Sequence, residues 1–256
     1  MKKIVYFLLL ISSVVLHAQI NESNIDSLEV KANLSLSGFF QSGNVETVIF
    51  RAKSDVSFKP WRKWVFKTQN SYVYQEFGKE KADEDILSLN FLYINPDRRM
   101  YPLFLGFVST NFRREIDVRV LYGAGVTFEI LKHDKNWLKL SVSSEYERTN
   151  FKQARFNLTD YNGTAIVKTF RGTLWINGKY HVFKDKIILS HESYVQPSLE
   201  YADNYRWQAD LSLEFPLLKF LNFKINYRHT FESLVITNQN REDQFLTFGF
   251  TLKNYN

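Results

Sequence analysis

The chain of 256 residues contains no cysteine, which excludes disulfides, iron–sulfur clusters and cysteine-ligated zinc. After residue 19 it also lacks any apolar run approaching the roughly 20 residues that a membrane-spanning helix needs. Its mean hydropathy of -0.29 would by itself indicate a soluble protein. Neither a nucleotide fingerprint nor an EF-hand loop is present. No cofactor and no bound metal are therefore expected.

Aromatic side chains, in contrast, are abundant: 14 Tyr, 23 Phe and 5 Trp make up 16% of the chain. A strand of a membrane β-barrel alternates lipid-facing and lumen-facing residues, so its average hydropathy is low although it spans a bilayer. Such barrels concentrate aromatic residues in girdles at the two membrane interfaces. The composition therefore favours a membrane barrel over a soluble protein.

Residues 1–18 have the three parts of a secretory signal: Lys2 and Lys3, an apolar run over 4–16, and the small residue Ala18. We expect cleavage after Ala18 and export. The alternative is an uncleaved anchor, but the apolar core is shorter than a spanning helix requires. Residues 19–31 lack turn chemistry and clear alternation, and are predicted to form a periplasmic lead-in.

The formal charge of +6 falls to +4 once Lys2 and Lys3 leave with the signal (6 − 2 = 4). A basic balance can indicate nucleic-acid binding. Here the charges are scattered singly along the chain, and the signal directs the protein out of the cytoplasm. No nucleic-acid partner is expected. The expected partners are outer-membrane lipid, lipopolysaccharide and the barrel-assembly machinery, with the barrel itself a monomer.

From residue 32 to 256 the sequence is organised as runs of about ten residues with period-two alternation, separated by short polar clusters. This pattern predicts an all-β fold, a transmembrane antiparallel up-and-down β-barrel. About twelve strands are predicted, at 32–41, 47–58, 64–77, 86–94, 103–113, 118–131, 137–148, 166–182, 186–196, 205–215, 221–231 and 244–253. Alternation is weak in the fifth strand and the connection before it is long, so ten or fourteen strands are the alternatives.

An even strand number places both ends of the barrel on the periplasmic side. The predicted periplasmic turns are then short, at 59–63, 133–136, 184–185 and 216–220. Most outside connections are longer, at 78–85, 149–165, 197–204 and 232–243. This asymmetry is typical of outer-membrane barrels.

A secreted β-sandwich also has alternating strands, but its strands are usually nearer five or six residues. Many runs here reach the roughly 9 to 11 residues with which a tilted strand crosses a bilayer. Charge is maintained along one face, which predicts a charged lumen lined by Arg51, Lys53, Lys67, Arg119, Glu129, Lys139, Glu145, Arg171, Lys179, Glu192, Arg206, Asp210, Lys224 and Arg228. Because both signs are present, the lumen could be plugged by ion pairs or could leave a small polar path.

Three stretches carry a family resemblance: LSLSGFFQSGNVET beginning at Leu34, WRKWVFKTQNSYVY after the second strand, and RVLYGAGVTFEILK in the sixth. From Leu34 to about Arg148 the order of these features resembles the salt-induced outer-membrane protein family, a bacterial domain of unknown function. The resemblance implies an outer-membrane barrel. It supplies no activity, ligand or catalytic residue.

Other groups of residues are candidates for a functional site. Gly123 and Gly125 share the lumen face, where we expect them to make room for facing side chains or strand coiling. Ser190 and His191 point to opposite faces of a strand, which prevents a local catalytic pair. The mixed-charge stretch KEKADED at 79–85 could bind calcium, but a solvated loop tip is favoured. The enzyme hypothesis would need a partner for His191 or His229 from another strand.

The sequence thus predicts an integral outer-membrane barrel that is not an enzyme. A structural or envelope-stress role is the leading hypothesis. A passive small-solute channel is the alternative, and an outer-membrane lipid-modifying enzyme is the third.

Overall fold

The structure is a computed structural model, and it describes residues 30–42, 46–133, 135–218 and 221–252. The predicted signal and nearly all of the predicted lead-in lie outside the described residues. The first strand begins at Val30, two residues before its predicted start. Within the part of the chain that the structure describes, no helix is long and apolar enough to cross a membrane.

Twelve strands follow one another in a single antiparallel sheet, and each pairs with its neighbours in chain order. The strands are β1 (Val30–Gln41), β2 (Thr47–Trp61), β3 (Trp64–Phe77), β4 (Glu80–Ile94), β5 (Met100–Asn111), β6 (Ile116–His133), β7 (Asn136–Phe151), β8 (Ile166–Val182), β9 (Ile187–Pro197), β10 (Tyr205–Leu218), β11 (Leu221–Glu232) and β12 (Glu242–Leu252). A single 3-10 turn, Thr159–Tyr161, interrupts this pattern between β7 and β8 within the described ranges. The up-and-down fold predicted from alternation is confirmed.

The largest correction concerns the connection predicted at 78–85. β4 begins at Glu80, so only Gly78 and Lys79 join it to β3. Both have positive φ, 60° and 69°, as the two central residues of a tight type I′ hairpin require. KEKADED therefore lies almost wholly within β4 and is not a loop tip. The mixed charges of this stretch obscure its strand alternation. The turn residues Gly78 and Lys79 nevertheless indicate that a strand begins directly after them.

Around the fifth strand, where the sequence pattern was weakest, the count stays at twelve. β4 and β5 pair directly, and residues 95–99 connect them at the same end as the connections 62–63 and 183–186. The long connections are 152–165, 198–204 and 233–241, all at the opposite end. We call the end with these three long connections the loop end, and the opposite end, where residues 62–63, 95–99 and 183–186 lie, the turn end.

Around β7 the inner face of the sheet is mostly polar and the outer face is mostly apolar. On β7 the odd residues from Trp137 to Phe151 are all buried, and they include Lys139, Glu145 and Glu147. Large apolar residues on the outer face are exposed instead: Phe104, Tyr122, Val142, Phe170 and Leu174, among others. This inversion is the burial pattern of a sheet that surrounds a polar interior and faces lipid.

Contacts between distant strands show that the sheet curls until its inner faces meet. The rings of Phe91 on β4 and Trp175 on β8 are 6.0 Å apart between centroids. Arg119 on β6 bonds Glu232 on β11 at 2.8 Å. Arg114, in the connection before β6, bonds Asp243 on β12 at 2.6 Å. The up-and-down meander is therefore barrel-like.

One strip of the outer face is polar, and its side chains hydrogen-bond to one another. The Asn70 amide donates to Thr68 at 3.1 Å and accepts from the Ser88 hydroxyl at 2.7 Å. The Asn90 amide donates to the same hydroxyl at 3.1 Å and to the Gly106 carbonyl at 3.2 Å. These bonds reduce the cost of presenting amides to an apolar surrounding.

Candidate functional site in the lumen

The centre of the interior is the carboxylate of Glu147 on β7. Arg171 on β8 donates to it from Nε at 3.0 Å and from Nη2 at 3.2 Å. Arg206 on β10 donates from Nη2 at 2.5 Å, and Thr149 adds a hydroxyl at 3.1 Å. Glu147 is 1% exposed, so these charge-assisted bonds replace its lost hydration.

A second carboxylate extends the network across the lumen. Arg119 on β6 donates to both oxygens of Glu232 on β11, at 3.1 Å and 2.8 Å. This two-point geometry holds the planar guanidinium in one orientation. The Nε of Arg119 also lies 3.9 Å from Glu147. The two carboxylates and three arginines therefore form one group, which we call the Glu147 network: Glu147, Glu232, Arg119, Arg171 and Arg206.

A relay of neutral groups links this network to Glu145. Arg206 Nε donates to the Gln196 side-chain oxygen at 2.5 Å, and the Gln196 amide donates to Thr173 at 2.6 Å. The Thr173 hydroxyl in turn donates to Glu145 at 2.8 Å, and Ser143 also bonds this carboxylate. All these side chains are buried, so each bond satisfies a group that water does not reach.

The network also reaches the loops at the loop end. Arg171 donates to the Asn204 side-chain oxygen at 2.9 Å, and the Asn204 amide donates to the Tyr161 hydroxyl at 3.0 Å. Tyr161 belongs to an apolar cap in which 152–165 and 233–241 pack against strand ends: Ile116, Phe151, Phe156, Tyr161, Val167, Leu234 and Ile236. The cap therefore lies at the loop end of β6, β7 and β8.

The other wall of the interior is apolar and aromatic. Inward residues of β3 to β6 pack against Trp175, forming the cluster Val65, Leu89, Phe91, Tyr93, Tyr101, Leu103, Leu105, Leu121 and Trp175. Phe91 contacts Phe107 at 5.2 Å, and Trp175 contacts Tyr194 at 5.8 Å between ring centroids. The sequence signal was present in β4 and β5, whose apolar runs leave both faces hydrophobic.

Little space remains between these groups. A cavity of about 10 Å³ is lined by the Glu147 network together with Thr149, Asn204 and Tyr205. That volume holds about one water molecule. The Nη1 of Arg206 is buried without a protein partner among the described residues, and a single water there would satisfy it.

The structure brings many of the predicted lumen residues together. Arg119, Arg171 and Arg206 belong to the Glu147 network, and Glu145 is linked to it. Asp210 bonds Arg228 at 2.7 Å, and Lys224 lies 4.0 Å from Glu214. Lys139 lies over the rings of Tyr101 and Trp137, and Glu129 lies 3.4 Å from Lys132. Glu192 is buried, Lys67 and Lys179 are half-buried, Arg51 is exposed, and the side chain of Lys53 lies outside the description.

Glu147, the residue at the centre of the site, is not among the predicted lumen residues. Glu147 is two positions from Glu145 on the same strand, so parity alone assigns it to the lumen face. It was overlooked because it stands at the predicted end of the strand, which in fact continues to Phe151. Glu232 was missed for the same reason, since it is the last residue of β11.

Gly123 and Gly125 have a definite structural role. A Cβ at Gly123 would overlap the Ser144 carbonyl oxygen and lie 2.7 Å from the Glu145 Cα. A Cβ at Gly125 would overlap the Val142 carbonyl oxygen. The absence of side chains here lets β6 approach β7 closely, where β7 carries Glu145 and Glu147 inward.

The histidine and carboxylate candidates lie apart from this site. Ser190 is buried and His191 lies on the opposite face of β9, 3.4 Å from the Tyr180 hydroxyl. His229 lies 3.1 Å from Glu242. Asp83 pairs with Arg113 at 3.4 Å. Among the described residues, no group of three His, Cys, Asp or Glu side chains is placed to hold a metal ion.

At the turn end, Lys135 donates to Asp185 at 2.7 Å and joins two neighbouring connections. This hydrogen bond lowers the pKa of Asp185 below its usual range. Lys135→Met is therefore expected to raise that pKa towards the ordinary value. In the parent protein the pair stabilises the fold above the unfolded-state pKa, and this contribution is lost as pH falls. Carboxyl NMR titration would measure the shift, and Lys186→Met on the same turn should leave it unchanged.

Comparison with solved structures identifies the architecture. The NanC porin gives a TM-score of 0.51 at 13% identity, over 87% of this chain and 100% of that chain. The translocator domain of the autotransporter NalP from Neisseria meningitidis gives 0.44 at 11% identity, over 88% and 87%. OmpT, an outer membrane protein of Vibrio cholerae, gives 0.34 at 10% identity, over 90% and 99%. At these identities the similarity concerns the fold alone, which is that of an outer-membrane β-barrel.

No curated protein matches the chain. A family model described as "Protein of unknown function, DUF481" matches residues 34–253. The match runs from β1 to the end of β12 and contains every residue of the Glu147 network. This chain therefore belongs to the DUF481 family of proteins of unknown function.

Proposed function

We propose that this protein is a structural barrel of the outer membrane whose lumen is closed, and that it is not an enzyme. The observation that carries the proposal is the Glu147 network, which joins β6, β7, β8, β10 and β11 through one continuous set of charges. A barrel built for free passage would leave such charges facing water along the lumen. Here they face one another.

Two further features support closure. The aromatic cluster around Phe91 and Trp175 packs along the opposite wall, and the loop cap packs at the loop end of β6, β7 and β8. Between them, the cavity at the network is the size of one water molecule. Closure therefore does not depend on any one contact.

The exposed apolar outer face and the secretory signal support an outer-membrane location after cleavage at Ala18. In that setting the partners are the barrel-assembly machinery during folding, and membrane lipid and lipopolysaccharide afterwards. We propose a monomer as the folded unit.

An envelope-stress role fits the same interior. Exposed charge pairs weaken as ionic strength rises, whereas buried pairs are screened much less. Glu147, Arg171 and Arg206 are buried, and the side chains of Arg119 and Glu232 are 15% and 18% exposed, so the closed state should persist at high salt. This property would suit a barrel that remains in the envelope under osmotic stress, as the resemblance to a salt-induced family suggests.

A passive channel is the second candidate. Some inward residues of β2, β3 and β11 are polar and only partly buried: Ser57, Lys67, Ser71, Asn226 and Thr230. A narrow path along this wall would carry small solutes. The fold similarity to the NanC porin is compatible with this reading.

Planar-bilayer recording of the refolded protein tests the choice. We expect silent membranes at both low and high salt, with insertion verified separately by heat-modifiable migration of protein recovered from vesicles. Steady steps of conductance in the unmodified protein would reject the closed barrel in favour of the channel.

A further inference from the structure

Two cations stand directly opposite each other on the outer face. Arg148 on β7 pairs in register with Lys168 on β8. Both are exposed, while their neighbours Glu147 and Val167 are buried in the interior. Like charges at directly opposite positions destabilise a strand pair. The arrangement is therefore unfavourable unless an anion lies between them.

The protein does not supply that anion. Arg148 bonds the neutral Asn150 side chain at 3.2 Å. In the described part of the chain, no carboxylate lies within ion-pair distance of Arg148 or Lys168. Glu145 and Glu147 point inward, and Glu200 is engaged with the backbone N–H of Phe170 at 3.0 Å.

Next to the cations, a row of aromatic rings marks the boundary of the apolar band. Tyr122, Tyr146 and Phe170 lie on neighbouring strands, with ring centroids 5.6 Å and 5.3 Å apart. Tyr122 and Phe170 are 58% and 51% exposed. Arg148 and Lys168 are the next outward residues beyond Tyr146 and Phe170, towards the loop end.

The position of this aromatic row along the barrel agrees with that of a membrane interface. Tyr180, which stacks on His191 near the turn end, lies ten residues along β8 from Phe170. Ten residues of a tilted strand rise about 25 Å, the height of the apolar band of an outer-membrane barrel. Arg148 and Lys168 therefore lie at headgroup level, in the leaflet on the loop side.

We propose that Arg148 and Lys168, with the Tyr122, Tyr146 and Phe170 rings, bind a phosphate of lipopolysaccharide in the outer leaflet. The inference rests on the proposed outer-membrane location, which makes the loop end the extracellular end. A phosphate between the two side chains would remove their repulsion, and the aromatic rings would contact the sugar and proximal acyl chains.

The test uses the folded full-length barrel in zwitterionic micelles and measures its affinity for bis-phosphorylated lipid A. We expect R148Q/K168Q to weaken binding by roughly tenfold to thirtyfold, because the two basic residues should contribute about equally to the affinity for an anionic surface. R62Q/K63Q is the matched control, since these exposed residues occupy the turn end. The control should bind as the parent does.

Further ligands separate the possible sources of phosphate. Dephosphorylated lipid A should bind the parent as weakly as bis-phosphorylated lipid A binds R148Q/K168Q, and phosphatidylglycerol should bind the parent weakly. Equal lipid A affinity in R148Q/K168Q and R62Q/K63Q would overturn the site, and phosphatidylglycerol binding equal to lipid A would overturn the glycolipid assignment. A conducting barrel would reject closure without changing these outcomes, whereas a chain that does not fold in micelles would reject both proposals.

Discussion

Glu147→Gln is expected to destabilise the folded barrel by about 3–5 kcal/mol, the usual cost of breaking a buried charge pair from one side. Glutamine keeps the size of the side chain but removes the charge that Arg171 and Arg206 share at 3.0 Å and 2.5 Å. Three arginines would then face one another with Glu232 as the remaining carboxylate of the network. Their repulsion should also loosen the closed lumen.

Denaturant unfolding in lipid vesicles, monitored by tryptophan fluorescence, measures the loss of stability. Bilayer recording of the same variant should show brief openings that the parent lacks. Glu80→Gln is the control, because this glutamate is exposed at the β3–β4 turn; its effect should stay within about 0.5 kcal/mol.

In a double-mutant cycle, Arg206→Met should couple to Glu147→Gln by roughly 0.5–3 kcal/mol. Additive effects would show that Glu147 does not act through Arg206.

The strand order was predictable because each strand repeats one physical pattern. β3 and β8 begin and end where alternation placed them, at Trp64–Phe77 and Ile166–Val182. Errors arose where alternation and local chemistry disagreed. β4 carries charges on both faces near its start, so its first residues have the composition of a loop, although Gly78 and Lys79 form a hairpin turn directly before them.

The composition of the interior was predictable only in part. The period-two alternation of side chains assigns Arg119, Arg171 and Arg206 to the lumen face, and they meet there. It cannot state which carboxylate they share, because that depends on register between strands and on the curl of the sheet. Glu147 meets Arg206 although β7 and β10 are not neighbours. Contacts of this kind leave no periodic trace in the sequence.

The composition of the outer face was likewise predictable only in part from the sequence. On β2, Phe50 and Val56 lie on the apolar outer face, and alternation along this strand gives no account of Ser54 between them on the same face. Ser54 lies beside Asn70, whose amide is 3.5 Å away, in the polar strip of β2 to β5. The strip becomes visible only when four strands are aligned, since no single strand contains more than two of its side chains.

Gly125→Val is expected to have the largest effect on folding. The added Cβ would overlap the Val142 carbonyl oxygen and lie 2.5 Å from the Ser143 Cβ. Backbone atoms cannot rotate away as a flexible side chain can, so β6 and β7 would have to separate along their paired residues. A loss of more than about 4 kcal/mol is expected, in the range of severe steric substitutions.

Gly106→Val provides a matched control, because it places the same side chain in a neighbouring strand. A Cβ at Gly106 meets no atom within 4 Å, and valine favours the extended backbone. We therefore expect Gly125→Val to have a lower refolding yield and denaturant midpoint than the parent and to lose heat-modifiable migration. Gly106→Val should match the parent in all three. If both variants fold with the parent's stability, then β6 and β7 do not need the close approach that brings Glu145 and Glu147 into the lumen.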